Sequence, residues 1–445
     1  YLRPAMQLLV VTCAAAAFHA VPRVSPARMM VPAFAPSTTA LIDETWIDNL
    51  NLDAFGAEVR NLGRRLRDEE GDADLAHFRK IKRWSRWCGI IGVSSLALPL
   101  NPITAAALST WIYSRWTMIA HHTMHGGYDK HDAEPRYHGS RFALGGPLSR
   151  VRDWLDWMLP EAWNLEHNVL HHYQLGEVGD PDLVERNLGF VREAKVPRAL
   201  KLGFVAVMAG IWKWVYYAPN TYKQLKIAER RKRKEPLPEG LDPNAALTIS
   251  KLVFKSRQHV RGLFPPHEFL TRVFAPVLFA RFLLLPAPLL LLPGALGRDA
   301  FCRAVTHLAL ADVLTNIHAF VTIVTNHAGS DLYRFDKSCP PNSPEFFLRQ
   351  VLSSANYRTG GDANDFLHGF LNYQVEHHCW PTLSMLSYQK AAPELKAICE
   401  RYGVPYTQES VWQRTRKTVA IMVGDESMRR WPGLGAGVGS SANDQ

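Results

Sequence analysis

Gln374-Val375-Glu376-His377-His378 is the last of several histidine-rich stretches, and the rest of the chain can be read outward from it. Upstream stand His121-His122-Thr123-Met124-His125 and His167-Asn168-Val169-Leu170-His171-His172, with Asn326-His327 between the second stretch and the last. On an α-helix, His121 and His125 fall about 40° apart around the axis, as do His167 and His171. Gln374 precedes His377 by three residues and His378 by four, so one turn gathers all three. A single HxxxH pair arises by chance on many helices. Three ordered boxes, HxxxH, HxxxHH and QxxHH, do not, and they predict a metal site.

The boxes alternate with apolar segments. Trp87 to Ser114 runs 28 residues without Asp, Glu, Lys or Arg, and Pro99, Asn101 and Pro102 interrupt it. One unbroken helix of that length would measure about 42 Å, against about 30 Å of bilayer hydrocarbon. The reading is a hairpin whose second arm continues through Arg115 to about His121. A second hairpin is expected from Phe274 to Gly297, broken by Arg281, Pro286, Pro288 and Pro293, and then Ala304 to His327. Leu200 to Tyr217 is apolar but contains Lys213, which reads as a half-embedded helix. Asp312, the one charged residue of 304–327, is either functional or paired with a polar neighbour. Two hairpins bring the first box and His327 to the membrane face that carries the other boxes. The expected architecture is therefore all-α and integral to a membrane, with four transmembrane helices in two hairpins beneath a helical, histidine-rich cap.

Outside that region the chain divides into a targeting presequence over 1–40, a soluble segment over 41–85, the membrane domain over 86–425 and a disordered tail over 426–445. Leu8 to Phe18 followed by an acid-free, hydroxyl-rich stretch to Ala40 has the pattern of a bipartite plastid presequence, with a secretory leader to the endoplasmic reticulum as the alternative. Hydrophobic residues make up 47% of the 445 residues, and the net charge is +10. The basic run Arg230-Arg231-Lys232-Arg233-Lys234 reads as a juxtamembrane segment facing anionic headgroups or an acidic donor protein, not as a nucleic-acid site. Six scattered cysteines without a CxxC pair offer neither a zinc ribbon nor a disulfide framework.

The donor set narrows the metal. A zinc hydrolase needs three ligands and an open position. So many imidazoles exceed what one such ion uses and suit two. Nitrogen ligands with few carboxylates and no thiolate, at a membrane surface, favour iron handling oxygen. Soluble di-iron bundles use repeated Glu-x-x-His instead, which is absent here.

At these residues the chain resembles the membrane fatty acid desaturases over roughly 85–410. The most specific stretch is Leu371-Asn372-Tyr373-Gln374-Val375-Glu376-His377-His378, continuing Cys379-Trp380-Pro381. It is similar to the third box of front-end and sphingolipid-type members, where Gln replaces the first His. The resemblance implies two irons held by His121, His125, His167, His171, His172, His327, His377 and His378, with Gln374 and His122 either ligands or groups beside them. It also implies O2 as co-substrate and a membrane lipid or acyl substrate.

Two features depart from the family pattern. The second box has three residues before its His pair where many relatives have two. No HPGG haem motif of a fused cytochrome b5 is present. Electrons are therefore expected from a separate ferredoxin or cytochrome b5. The residues also leave open a hydroxylase or ketolase on the same scaffold, a zinc-dependent membrane hydrolase and a non-catalytic lipid binder.

Overall fold

The computed structural model describes residues 44–131, 135–154, 156–253 and 262–433. The presequence expected over 1–40 lies outside these residues.

Helix α1 (Leu52–Glu69) starts where the Asn51 side chain accepts the Ala54 N–H at 3.1 Å. Its buried Phe55, Val59, Leu62 and Leu66 recur at three- and four-residue spacing and form one face. Helix α2 (Asp72–Ser94) crosses the boundary expected at 85 without a break. Its first half buries Leu75, Phe78 and Ile81, whereas Trp87, Ile90 and Ile91 farther along are 57%, 47% and 47% exposed. The chain turns at Ser95–Asn101 and enters α3 (Pro102–Ser114), which continues through a π-turn (Arg115–Ala120) into His121–Met124. That is the expected first hairpin. Its turn is held by His307, whose Nε2 accepts the Asn101 N–H at 3.2 Å while Nδ1 donates to the Leu96 carbonyl at 3.2 Å.

Among the described residues, three helices are long and apolar enough to cross a membrane: Arg198–Lys232, Pro266–Leu291 and Gly294–Asn326. This differs from the expected four. The arms of the first hairpin are not among the three, because α2 is charged through its first half and the apolar part of α3 is short. Conversely, the segment read as half-embedded belongs to a 35-residue helix, α4, that qualifies by length and composition. Lys213 fits there because its ammonium donates to Asp156 Oδ2 at 2.8 Å and lies 4.3 Å from the Trp116 ring centroid. The second hairpin is present. Its arms are α5 (Pro266–Leu291) and α6 (Gly294–Thr322), and the former ends in the 3-10 turn Ala287–Leu291 at the prolines. Asp312 of α6 is ion-paired to Arg281 of α5 at 2.6 Å, so it is a paired group between these two helices.

The cap contains α7 (Pro344–Leu352), α8 (Gln374–Cys379), α9 (Met385–Tyr402) and α10 (Val411–Val423). Two short parallel ladders tie it together. Tyr333–Arg334 pairs with Arg429–Arg430, and Asn356–Tyr357 with Gln408–Glu409. The first ladder corrects the tail boundary: the chain beyond 426 is still packed, with Trp431 against Tyr333 and Phe335. Residues 434–445 lie outside the described part.

Candidate metal centre

Each box sits at a discontinuity in a helix. The first follows the π-turn of α3. The second lies within a π-turn, Glu166–His171, that extends the short helix Pro160–Leu165. The third is α8, entered from the 3-10 turn Leu371–Tyr373. His327 follows α6, whose α-geometry ends at Thr322 and passes into a 3-10 turn over Val324–Asn326. On one ideal helix His327 would face away from His307 and His318; this break turns it towards the boxes.

The structure brings all eight predicted histidines together, in two adjoining groups. His121, His125, His167, His172 and His377 form one, and His171, His327 and His378 the other; in each, candidate ligand atoms lie within 4.8 Å of one another. Gln374 joins the second group, its Nε2 lying 2.9 Å from His327 Nε2. His122 belongs to neither. It is buried against His121, His377 and Tyr388, with ring centroids 5.0, 5.6 and 5.6 Å away.

His167 and His171 lie side by side, as expected of one face, with stacked rings 5.3 Å apart, yet they fall in different groups. An α-helix brings residues four apart onto one face, but the wider i→i+5 turn sets residues four and five apart on either side of the first. His167 therefore shares its group with His172, the ring centroids 4.9 Å apart, and His171 is turned into the other group. The third residue before the His pair is taken up by this turn. In α8, the successive residues His377 and His378 point about 100° apart and supply one imidazole to each group.

Several ring nitrogens are fixed from behind. His171 Nδ1 lies 2.9 Å from Asp180 Oδ1, and Asp180 also accepts the Gly176 and Asp182 N–H groups. His377 Nδ1 is 3.2 Å from the Tyr388 hydroxyl, which itself donates to the Trp380 carbonyl, so His377 is the donor in that contact. His327 Nδ1 donates to the Ser353 carbonyl at 3.3 Å. These contacts set tautomers that leave Nε2 lone pairs directed inward. Sequence reasoning missed Asp180 and Tyr388. Asp180 stands only nine residues after His171, but no spacing rule marks it out.

Burial, reinforced by neighbouring imidazoles, holds His167, His172, His377 and His378 well below the ordinary histidine range. Burial also takes His327 down to about 3. His171 is the exception. Burial disfavours its cation, but the Asp180 carboxylate outweighs this and raises it. Neutral imidazole is the ligating form. Buried His125 Nε2, His377 Nε2 and both ring nitrogens of His172 and His378 have no hydrogen-bond partner in the protein. Buried nitrogens without partners are costly unless something accepts their lone pairs. The donor set therefore fits cations bound between the rings.

Beside both groups lies a cavity of about 930 Å³. His121, His167, His171, His327 and Gln374 line it on one side. Apolar walls come from Trp116, Phe204, Met208, Trp212, Phe320 and Ile323. A long apolar space bordered by imidazoles suits a hydrocarbon chain presented to metal chemistry.

Helices long and apolar enough to cross a membrane, a helical cap and clustered histidine boxes beside an apolar cavity define a histidine-box protein with a candidate metal centre. The family described as Fatty acid desaturase matches residues 96–410, and the chain belongs to that family of oxidoreductases. An NADPH-dependent stearoyl-CoA 9-desaturase of Mycobacterium tuberculosis is 23% identical over 381 residues, covering 84% of this chain and 79% of the relative. An acyl-lipid (9-3)-desaturase of Physcomitrium patens is 27% identical over 146 residues, 33% of this chain and 25% of that protein. A Delta(8)-fatty-acid desaturase 2 of Arabidopsis thaliana is 29% identical over 111 residues, 24% of each chain. No solved structure matches.

Proposed function

We propose that this protein is a multi-pass membrane desaturase that introduces a C=C bond into an acyl chain, using O2 and two electrons. The observation that carries the proposal is the division of eight buried or half-buried imidazoles into two adjoining groups at the wall of an apolar cavity. On this reading His121, His125, His167, His172 and His377 hold one iron. His171, His327 and His378 hold the other, with Gln374 at its edge. When bound, the iron pair supplies the O2-dependent oxidation that unactivated methylenes require, since they have no acidic proton for a side-chain base to remove. One hydrogen leaves each of two neighbouring carbons. With O2, two electrons and two protons, the products are the alkene and two waters.

The protein's part is positioning. Trp116, Trp212 and Phe320 confine the chain and exclude water from the reacting carbons. Asp180, Tyr388 and the Ser353 carbonyl keep three imidazoles in the ligating orientation. The exposed apolar Trp87, Ile90, Leu98, Leu100 and Ile103 support embedding of the first hairpin, whose two arms together with those of the second give four membrane helices in two hairpins. Ferredoxin supplies the electrons if the protein resides in a plastid membrane, and cytochrome b5 if it resides in the endoplasmic reticulum.

The test is heterologous expression with lipid profiling, wild type beside His377→Ala, with both donors supplied and iron measured on purified protein. The expected result is a new unsaturated acyl product and about two irons per wild-type chain, with no product from the variant. A hydroxylated product in place of the alkene, or one zinc and no iron, would sink the proposal.

A further inference from the structure

The methylenes of an acyl chain carry no group that tells one from the next, so which bond meets the metal groups is a matter of shape. In an apolar pocket one methylene is worth only about 10- to 200-fold in discrimination. A wall that holds the chain in one register must therefore itself be held still. Trp116 and His121 both line the cavity, and the π-turn between them lets the His121 N–H donate to the Trp116 carbonyl. The ring and the imidazole are thus one turn apart. Trp212 and Tyr217 of α4 complete this part of the wall, the Trp212 centroid lying 6.3 Å from that of Trp116 and 5.2 Å from that of Tyr217.

Lys213 follows Trp212 and opens another π-turn, Lys213–Tyr217. It is 1% exposed and does not itself line the cavity. Its ammonium lies 4.3 Å from the Trp116 centroid and donates to Asp156 Oδ2 at 2.8 Å. Asp156 stands shortly before Pro160, where the short helix leading into the second box begins. The Lys213 N–H donates to Asn316 Oδ1 at 3.1 Å, and Trp212 Nε1 donates to the Asn316 carbonyl at 3.0 Å, so both residues are anchored on α6. One ammonium thereby joins α4, the segment that carries the first box and the segment that leads to the second. Stability does not account for the pair, since two apolar residues of similar volume are often as stable or more so. What the pair adds is direction. A cation is drawn to the face of an indole, so the Trp116 ring cannot turn without losing the ammonium. The ammonium in turn cannot follow the ring without leaving its carboxylate buried and unpaired.

We propose that Lys213, held by Asp156, is a positioning residue: it fixes the Trp116 ring beside His121 and so sets which carbon–carbon bond of the acyl chain is oxidised. This rests on the desaturase reading.

The experiment locates the double bond by mass spectrometry in the acyl products of the full-length protein, expressed with its electron donor. Wild type is expected to place it at one position. With Lys213→Met and Asp156→Leu combined, the ratio of that isomer to its neighbours is expected to fall by about tenfold or more, the scale on which one methylene is told from the next. Lys213→Arg keeps the cation and is expected to keep the position. His307→Leu loosens the first hairpin turn, away from the cavity, and is expected to lower yield without moving the double bond. If the Met and Leu combination does not fold, Lys213→Gln with Asp156→Asn, a neutral hydrogen-bonded pair, is read in the same way. Lower yield at an unshifted position in the charge-free variants makes the pair merely structural and overturns the proposal. A wild type that yields a mixture of positions overturns it too, as does an equal shift in His307→Leu. These outcomes refute this inference alone; no unsaturated product from wild type, as from His377→Ala, refutes the desaturase reading with it.

Discussion

The imidazoles of His172 and His378 are stacked, with centroids 4.2 Å apart and planes 13° from parallel. They belong to different histidine groups, so this is one of the contacts through which the two groups meet. His378→Ala is expected to lower bound iron from about two to about one per chain and to abolish desaturation. Metal analysis beside product profiling checks this; a variant retaining two irons contradicts the assignment of His378.

Asp180 fixes His171 from behind and does not itself line the cavity. Removing such a partner usually costs 10- to 100-fold in metal affinity or activity. Asp180→Asn should lose iron to a chelator faster than wild type, with activity falling by about that range. Unchanged retention would show that the carboxylate has no part in holding the site.

The π-turn makes a prediction about length. Val169, 49% exposed, lies inside it. Deleting Val169 gives an HxxHH box, in which an ordinary α-turn places the first and last His four apart on one face. The deletion is expected to retain activity within about tenfold, whereas an alanine inserted after Val169 should abolish it. Lipid profiles of both variants decide; a deletion as dead as the insertion counts against the turn's role.

Burial lowers His327 from the ordinary 6.5 to about 3, and His377 and His378 move the same way, whereas His171, raised by Asp180, opposes them. Between those values the unfolded imidazole binds a proton that the folded one refuses. Stability of the metal-stripped protein is therefore full above about pH 6.5 and declines as pH falls towards 3. Thermal melts of stripped protein at pH 4 to 8 should show this slope, and iron release should follow the same direction. A melting temperature that rises on acidification would contradict it.

Arg281 and Asp312 form a buried ion pair between α5 and α6. Asp312→Leu leaves a buried cation alone and is expected to destabilise by about 3–5 kcal/mol. Arg281→Leu with Asp312→Leu should recover most of that loss. Melting of the single and double variants in one detergent measures it, and a double variant no better than the single would refute the pairing as the cause.

The sequence by itself determined the chemistry on offer. The three boxes and His327 named the eight imidazoles that meet, and the proline-broken apolar segments marked both hairpins. It could also say that Asp312 needed a partner, though not that the partner is Arg281. Membrane crossing was legible only in part, since Lys213 read as a defect until the fold set Asp156 against it. Tertiary structure alone decided how the histidines divide. Spacing on an ideal helix joins His167 to His171, whereas the π-turn joins it to His172. Adjacent positions in α8 then split His377 from His378. Asp180 and Tyr388 were likewise invisible, because their roles rest on contacts and burial rather than on residue type. Local periodicity fixes which faces a segment presents, but only packing between distant segments sets which of those faces meet.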